Sequence, residues 1–154
     1  MDKNFNLNSL FSIVREWNKR TGHMPSTDYK ASAQWILDKK YRDRAMDLLT
    51  EEVGEMKDAI DAMNYVEMLD AAADIVFVLA GIIEKAGLGE YMDEVMAEVL
   101  ESHNTKITAE GKVVRDENSK IGTPEGYREP NIQEAMRRVD KRKGFRRAYS
   151  ETNG

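Results

Sequence analysis

An apolar run inside a long helical segment constrains this fold more than any other feature of the sequence. Helical periodicity predicts a helix from about Tyr65 to Ala86, ended by Gly87, and residues 75–83 within it read IVFVLAGII, without a polar side. A helix that is apolar on every side must be enclosed on every side. Because a chain of 154 residues has few elements to enclose it, we expect a helical bundle that a second copy of the chain completes.

The rest of the pattern is helical too, apart from one irregular stretch. Apolar spacing predicts further helices at about 7–20, from about 32, at about 41–62, at about 89–102 and from Asn131. Between Thr105 and Pro130, glycines and prolines punctuate a polar stretch that favours a short hairpin around residues 112–115. The predicted fold class is all-α: a four-helix-type bundle completed by oligomerisation, with a short irregular or hairpin excursion near residues 105–130.

Composition narrows the classes of function. The chain has no cysteine and two histidines, which excludes disulfides, zinc-thiolate sites and cysteine nucleophiles, so any metal must be held by oxygen. No stretch of about 18 uncharged apolar residues occurs, and the N-terminus lacks the charged-then-apolar order of a signal peptide. We therefore expect a cytoplasmic protein that does not use a membrane.

Charge is divided unevenly along the chain. Residues 1–136 carry 16 Lys and Arg against 26 Asp and Glu, whereas residues 137–154 carry 7 against 2. This asymmetry predicts a domain at 1–136 and a basic C-terminal tail at 137–154, which we interpret as a solvated end. Nucleic acid is not an expected partner, because the acidic body would repel a duplex.

Acidic patches lie on two consecutive predicted helices. At roughly 100° per residue, the acids of each patch gather on one side of their helix. Carboxylates that face each other beside an apolar interior need a cation, and oxygen-only sites suit Mg²⁺ or Mn²⁺, often together with substrate phosphates. The patches therefore predict a metal site acting on a phosphate compound, with water as the nucleophile. The first patch is Glu51, Glu52 and Glu55, and the second is Glu67, Asp70 and Asp74.

This arrangement resembles the MazG-like all-α nucleoside triphosphate pyrophosphohydrolases, in particular the branch related to phosphoribosyl-ATP pyrophosphohydrolase and to MazG-like dUTPases. The family pattern is Glu-Glu-x-x-Glu followed by Glu-x-x-Asp, and residues 51–55 match its first half. In the second half Asp74 fits, but Ala71 stands at the place of the family's Glu, which leaves Asp70 or Glu67 to replace it. The resemblance covers roughly residues 10–136.

The resemblance implies a homo-oligomer, dimeric or higher, that hydrolyses a (deoxy)nucleoside triphosphate to the monophosphate and pyrophosphate in nucleotide-pool control. It implies Mg²⁺ or Mn²⁺ bound by Glu52, Glu55, Asp70 and Asp74, with Glu67 as an additional candidate, and Glu51 and Glu52 as the catalytic carboxylates. Deoxynucleotides such as dUTP or dCTP are the first expected substrates and phosphoribosyl-ATP the second. A non-catalytic nucleotide-binding regulator of the same fold is the remaining alternative, which Ala71 supports.

Positions after the acidic patches extend the resemblance. Residues 99–106, VLESHNTK, resemble the family's Val-His-x-Ser-Asn-x-x-Lys. Trp17, Trp35 and Tyr127 are possible stacking surfaces for a base. Of these, Trp35 and Tyr127 are the candidates for a base pocket, whereas Trp17 is expected to be mainly structural, in the core, and His23 is expected at the surface. The phosphate- or substrate-binding candidates are Lys106, Asn104, Arg115 and Lys120.

Overall fold

The computed structural model describes residues 9–23 and 38–144, and this part of the chain forms helices without named strands. The all-α prediction is confirmed. The predicted helix from about residue 32, and with it Trp35, lies outside the described residues. The helices are α1 (Leu10–Arg20), α2 (Lys39–Asp61), α3 (Tyr65–Lys85), α4 (Met92–Asn104) and α5 (Ile132–Lys143), with a short 3-10 turn at Gly89–Tyr91.

Side-chain caps and one glycine explain where the long helices begin and end. Asp38 and Asn131 precede α2 and α5, and each side chain accepts a hydrogen bond from a backbone N–H of the first turn. Asn64 does the same for two N–H groups of α3. Gly87 follows α3 with φ at 72°, the left-handed conformation that glycine adopts without strain.

The chain divides into two compact units, the first ending at Gly89 and the second beginning at Glu90. The first unit contains α1, α2 and α3, and the second contains α4, α5 and the stretch between them. Helix α5 crosses residue 136, where the predicted domain meets the predicted tail. That sequence-based division stays a prediction.

In the first unit, a connection of only three residues, Ala62 to Asn64, makes α2 and α3 an antiparallel pair, and α1 packs on α3. Leu10 and Val14 of α1 form a buried cluster with Ala80 of α3. Two side chains of the apolar run of α3, Val76 at 40% and Leu79 at 44%, are exposed, so the described residues do not enclose the run completely. The four-helix-type bundle and its completion by a second copy stay predictions. No helix in the described ranges is both long and apolar enough to cross a bilayer.

A buried ion pair fixes α1 against the end of α3. Nε of Arg15 lies 2.6 Å from Oε2 of Glu84, a buried residue. A Cβ at position 89 would collide with the Glu84 carboxylate, so a larger residue there would require that carboxylate to shift. Because breaking a buried pair leaves an uncompensated charge, this contact ties the two helices together.

Ion pairs also join α4 to α5 in the second unit. Arg138 donates through Nε to Glu94 at 2.6 Å, and Arg142 donates through Nη1 to the other oxygen of Glu94 at 2.7 Å. Lys143 pairs with Glu90. Residues 137–143 are therefore the last turns of a helix, and several of their partly exposed cations pair with nearby acids. The interpretation of the tail as a solvated end stays a prediction.

The stretch between α4 and α5 is irregular, as predicted, but its detail differs from a single hairpin. Two narrow turns follow each other, and isolated antiparallel bridges close them. The end of the stretch is tied back to α4, because Oγ of Ser102 donates to the carbonyl of Arg128 at 2.8 Å. The bridges pair Ile107 with Val113 and Arg115 with Ile121.

Glu98 is the central acid of the second unit. It is buried, and it accepts hydrogen bonds from Nη1 of Arg128 at 2.5 Å and from the backbone N–H of Asn131 at 2.8 Å. Nη2 of Arg138 adds a bond at 3.2 Å. These hydrogen bonds lower the pKa of Glu98 from 4.5 to about 2, and the bond from Arg128 has the largest effect.

We predict that the second unit loses stability in acid because of Glu98. Because folding lowers the pKa of Glu98, the stabilisation that its hydrogen bonds supply is complete above pH 4.5 and is lost as the pH falls toward about 2. Hydrogen exchange read by mass spectrometry should show falling protection of α4 and α5 over this range. Glu98→Gln should show reduced protection already at neutral pH.

Glu101→Gln is the matched control for Glu98→Gln. Glu101 lies on the same helix and reaches the same Arg128, at 3.4 Å, but its side chain is 70% exposed. Exposed pairs contribute little, so its protection factors should stay close to those of the unchanged protein. Equal protection in all three proteins at neutral pH would contradict the structural role of Glu98.

Candidate functional site

The pairing of α2 with α3 brings the two predicted acidic patches to the same level. Glu52 lies nine residues before the end of α2, and Asp74 lies nine residues after the start of α3. In an antiparallel pair with a short connection, these two positions stand opposite each other. Glu55 and Asp70 lie about one turn closer to the connection.

Glu52 is the centre of this acidic cluster, which consists of Glu51, Glu52, Glu55, Asp70 and Asp74. Its side chain is half-buried, and its Oε2 is buried without a hydrogen-bond partner among the described residues. Burial raises the pKa of Glu52, and the negative charges of the other four acids, Asp74 foremost, raise it further. A partly desolvated carboxylate among like charges is one that a bound cation would stabilise.

The side chains of the acidic cluster do not converge on one point. Within residues 9–23 and 38–144, no three His, Asp or Glu side chains form a group that is arranged to hold a metal ion. The four acids around Glu52 are exposed, so rotations about their side-chain bonds would suffice to bring oxygens toward it. Oxygen donors and a buried unpaired Oε2 fit a hard divalent cation, and the ligand set Glu52, Glu55, Asp70 and Asp74 stays a prediction.

The two acids that the sequence leaves as replacements for the family's Glu differ in their surroundings. Asp70 is the last of the charges that raise the pKa of Glu52, after burial and the charges of Asp74, Glu55 and Glu51. Glu67 lies in the first turn of α3, where a carboxylate complements the positive end of the helix. Ala71 itself is buried, at 3% exposure. The choice between Asp70 and Glu67 stays a prediction.

The predicted phosphate-binding residues lie in the second unit. Nζ of Lys106 lies 5.4 Å from the ring centroid of Tyr127, a cation–π contact. Arg115 donates through Nη1 to a backbone carbonyl of its own turn at 2.7 Å, and Lys120 is exposed on the same turn. Asn104 is the last residue of α4. Lys106 and Tyr127 are thus brought together, and the roles of these residues toward phosphate stay predictions.

A cavity of about 220 Å³ in the first unit is lined by Trp17 and His23, which the sequence singles out, and by residues that it does not, among them Asn18, Gly81 and Lys85. Trp17 forms one wall: its ring stacks on His23 with centroids 5.9 Å apart and meets Phe77 edge-on at 5.2 Å. Trp17 is 45% exposed. The expectation that it lies mainly in the core is therefore wrong.

The polar lining of the cavity comes from α1 and α3. Asn18 is buried, and its Nδ2 donates to the carbonyl of Val14 at 2.9 Å. Lys85 is half-buried at the cavity, and burial lowers the pKa of its ammonium group. Gly81 lies beside the Asn18 amide. Trp17 shares the apolar spacing of the first helix, but a polar residue beside it such as Asn18 carries no periodic signal, so only the packing of α1 on α3 reveals the polar lining.

Comparison with known proteins identifies the family. Residues 15–106, more than half of the chain, match the family model described as phosphoribosyl-ATP pyrophosphohydrolase. The chain is also 34% identical over 80 residues to an uncharacterised protein of Acanthamoeba polyphaga mimivirus, a match that covers 51% of this chain and 31% of that protein. The matched family range contains the acidic cluster, the cavity and Lys106, and it ends before Arg115. The chain belongs to the phosphoribosyl-ATP pyrophosphohydrolase family, within the MazG-like all-α nucleoside triphosphate pyrophosphohydrolase superfamily.

Proposed function

We propose that this protein hydrolyses a nucleoside triphosphate to the monophosphate and pyrophosphate, using Mg²⁺ or Mn²⁺ held by the acidic cluster. Family membership suggests pyrophosphohydrolase activity on nucleotides. The observation that carries the metal proposal is the buried Oε2 of Glu52, which lacks a hydrogen-bond partner among the described residues and is surrounded by like charges. A divalent cation would offset both the burial and the repulsion.

Each acid of the cluster receives a role in this proposal. Glu52, Glu55, Asp70 and Asp74 hold the cation, which when bound would neutralise phosphate oxygens and the charge that develops on them. Glu51, exposed beside them, orients the attacking water and accepts its proton. The water oxygen bonds to the α-phosphorus, the bond from that phosphorus to the bridging oxygen breaks, and pyrophosphate leaves with that oxygen.

We propose two candidate substrates, in order of preference. A deoxynucleotide such as dUTP or dCTP is the first candidate, with a role in nucleotide-pool control in the cytoplasm. Phosphoribosyl-ATP is the second candidate, favoured by the description of the matched family. Both reactions release pyrophosphate, so one assay compares them.

We predict that Glu52→Gln lowers metal-dependent pyrophosphate release at least about 100-fold, because a neutral amide oxygen binds a hard divalent cation more weakly than a carboxylate. Glu67→Gln makes the same chemical change in the first turn of α3, away from Glu52, and should stay within about 3-fold of the unchanged protein. The measurement is chromatography of products from dUTP, dCTP, dATP, dGTP and phosphoribosyl-ATP with Mg²⁺ or Mn²⁺.

Two outcomes of that assay would contradict the proposal. If the unchanged protein released no pyrophosphate from any of the five nucleotides, it would not be the proposed enzyme, and tight binding without turnover would identify a nucleotide-binding regulator. If Glu52→Gln retained full activity, the acidic cluster would not be the catalytic site.

Exposed apolar side chains support the proposal that the protein is a homo-oligomer, dimeric or higher. Met46, Val53 and Ile60 are exposed on α2 at intervals of seven residues, which places them on one stripe of the helix. Val66, Leu69 and Val76 are exposed on α3. Large exposed apolar surfaces mark contact sites between proteins. The helices α2 and α3 of a second copy would cover these exposed side chains of the first copy and complete a four-helix bundle.

We predict that Ile60→Lys shifts the protein toward a monomer in light scattering after size-exclusion chromatography. A lysine in the stripe would place a charge in the apolar contact between copies. Leu100→Lys is the matched control, because Leu100 is also exposed but lies on α4, outside the stripe. A monomeric mass for the unchanged protein at about 100 μM, well above a typical micromolar Kd, would contradict the oligomer proposal.

A further inference from the structure

We propose that Lys85 is a modification site, and that its amine takes a small acyl group from an acyl phosphate such as acetyl phosphate. The inference stands apart from the proposed function, because it concerns a side chain outside the acidic cluster and needs neither a metal nor a nucleotide. Three observations carry it: the place of Lys85 at the cavity of the first unit, the apolar lining of that cavity, and its small volume.

Lys85 is the last residue of α3, and its side chain is half-buried at the cavity. Most of the side chains that line the cavity with it are apolar. An ammonium group loses its hydration in such surroundings at a higher cost in free energy than a neutral amine does. The cavity therefore favours the neutral form of Lys85. The apolar lining residues are Trp17, Ala45, Leu48, Phe77, Val78 and Ile82.

The charged groups near Lys85 do not offset its burial. Among the described residues that line the cavity none is acidic, and His23 is the other titratable one. Glu84 is adjacent in sequence, but its carboxylate pairs with Arg15 of α1 at 2.6 Å. The C-terminal end of a helix favours a positive charge, whereas burial opposes it. Burial prevails here, because it lowers the pKa of the Lys85 ammonium group.

Desolvation in an apolar pocket activates a lysine as a nucleophile, because the neutral amine has the lone pair that attacks. In the proposed step Nζ of Lys85 bonds to the acyl carbon, the bond from that carbon to the phosphate oxygen breaks, and phosphate leaves with the electron pair. The proton of the amine goes to water. The product is a neutral amide, so acylation removes the half-buried charge and leaves a group that suits the apolar lining.

The volume of the cavity limits the acyl group. Pockets that enclose drug-sized ligands measure roughly 300–1,000 Å³, whereas this cavity measures about 220 Å³. An acetyl group on Lys85 would occupy a part of that space without moving the lining. A bulky aromatic acyl group would have to displace lining side chains, which close packing makes costly. The cavity therefore selects a small donor.

Acetylation rates at single lysines of the whole protein test the proposal. At neutral pH, acetyl phosphate should modify Lys85 at least about 3-fold faster than Lys57 in peptide mass spectrometry, because more of its amine is neutral. Lys57 is the matched control: it lies on a helix of the same unit, its side chain is 72% exposed, and it pairs with Asp61. The advantage should shrink near about pH 10.5, where ordinary lysines also lose their proton. Acetylation of Lys85 no faster than that of Lys57 at neutral pH would overturn the proposal.

The size of the donor tests the role of the cavity. Benzoyl phosphate reacts by the same chemistry but carries an aromatic ring. Its preference for Lys85 over Lys57 should be at least about 3-fold smaller than that of acetyl phosphate, because the ring does not fit beside the lining. An equal preference with both donors would show that the cavity does not select the acyl group, and would overturn the assignment of a small donor.

A stability measurement tests the same site without an acyl donor. Glutamine is neutral, as an acylated lysine is, so Lys85→Gln should raise the melting temperature by about 2 °C through the loss of a half-buried charge. Lys57→Gln removes an equal charge from an exposed pair on a helix, so its melting temperature should be unchanged or slightly lower. A melting temperature of Lys85→Gln at or below that of Lys57→Gln would overturn the proposal, because burial would then not disfavour the charge.

Discussion

Repulsion between Glu52 and the acids around it is the constraint on which the rest of this site depends. The short connection between α2 and α3 places Glu52 opposite Asp74. Because Oε2 of Glu52 is buried, water does not screen its charge. Apolar packing centred on Val14 and Ala80 joins the same α3 to α1. The fold thus maintains an unfavourable cluster of charges, which is the usual physical mark of a site completed by a ligand.

Two glutamates of the same chain show opposite solutions to burial of a carboxylate. Glu98 receives hydrogen bonds from two arginines and a backbone N–H, and its pKa falls to about 2. Burial raises the pKa of Glu52, and the negative charges of the neighbouring acids raise it further. The first carboxylate is neutralised by its own unit and serves stability. The second lacks such neutralisation among the described residues and is the one suited to an external cation.

Local signals account for what the sequence predicts correctly. Caps at Asn64 and Asn131 and the glycine at position 87 lie beside the helices that they bound, so helix ends are readable. Helical spacing likewise places the acids on common faces. Whether Asp70 or Glu67 approaches Glu52 depends on the register of α2 against α3. The wall at Trp17 depends on a neighbour 60 residues away at Phe77, which no local pattern encodes.

Anomalous diffraction from crystals soaked in Mn²⁺ would locate a cation at the acidic cluster without relying on activity. We expect an anomalous peak within about 2.5 Å of carboxylate oxygens of Glu52 and Asp74. Asp70 should contribute the next nearest carboxylate, in preference to Glu67. Fully occupied Mn²⁺ elsewhere on the molecule, with no peak beside Glu52, would contradict a cation site at the acidic cluster.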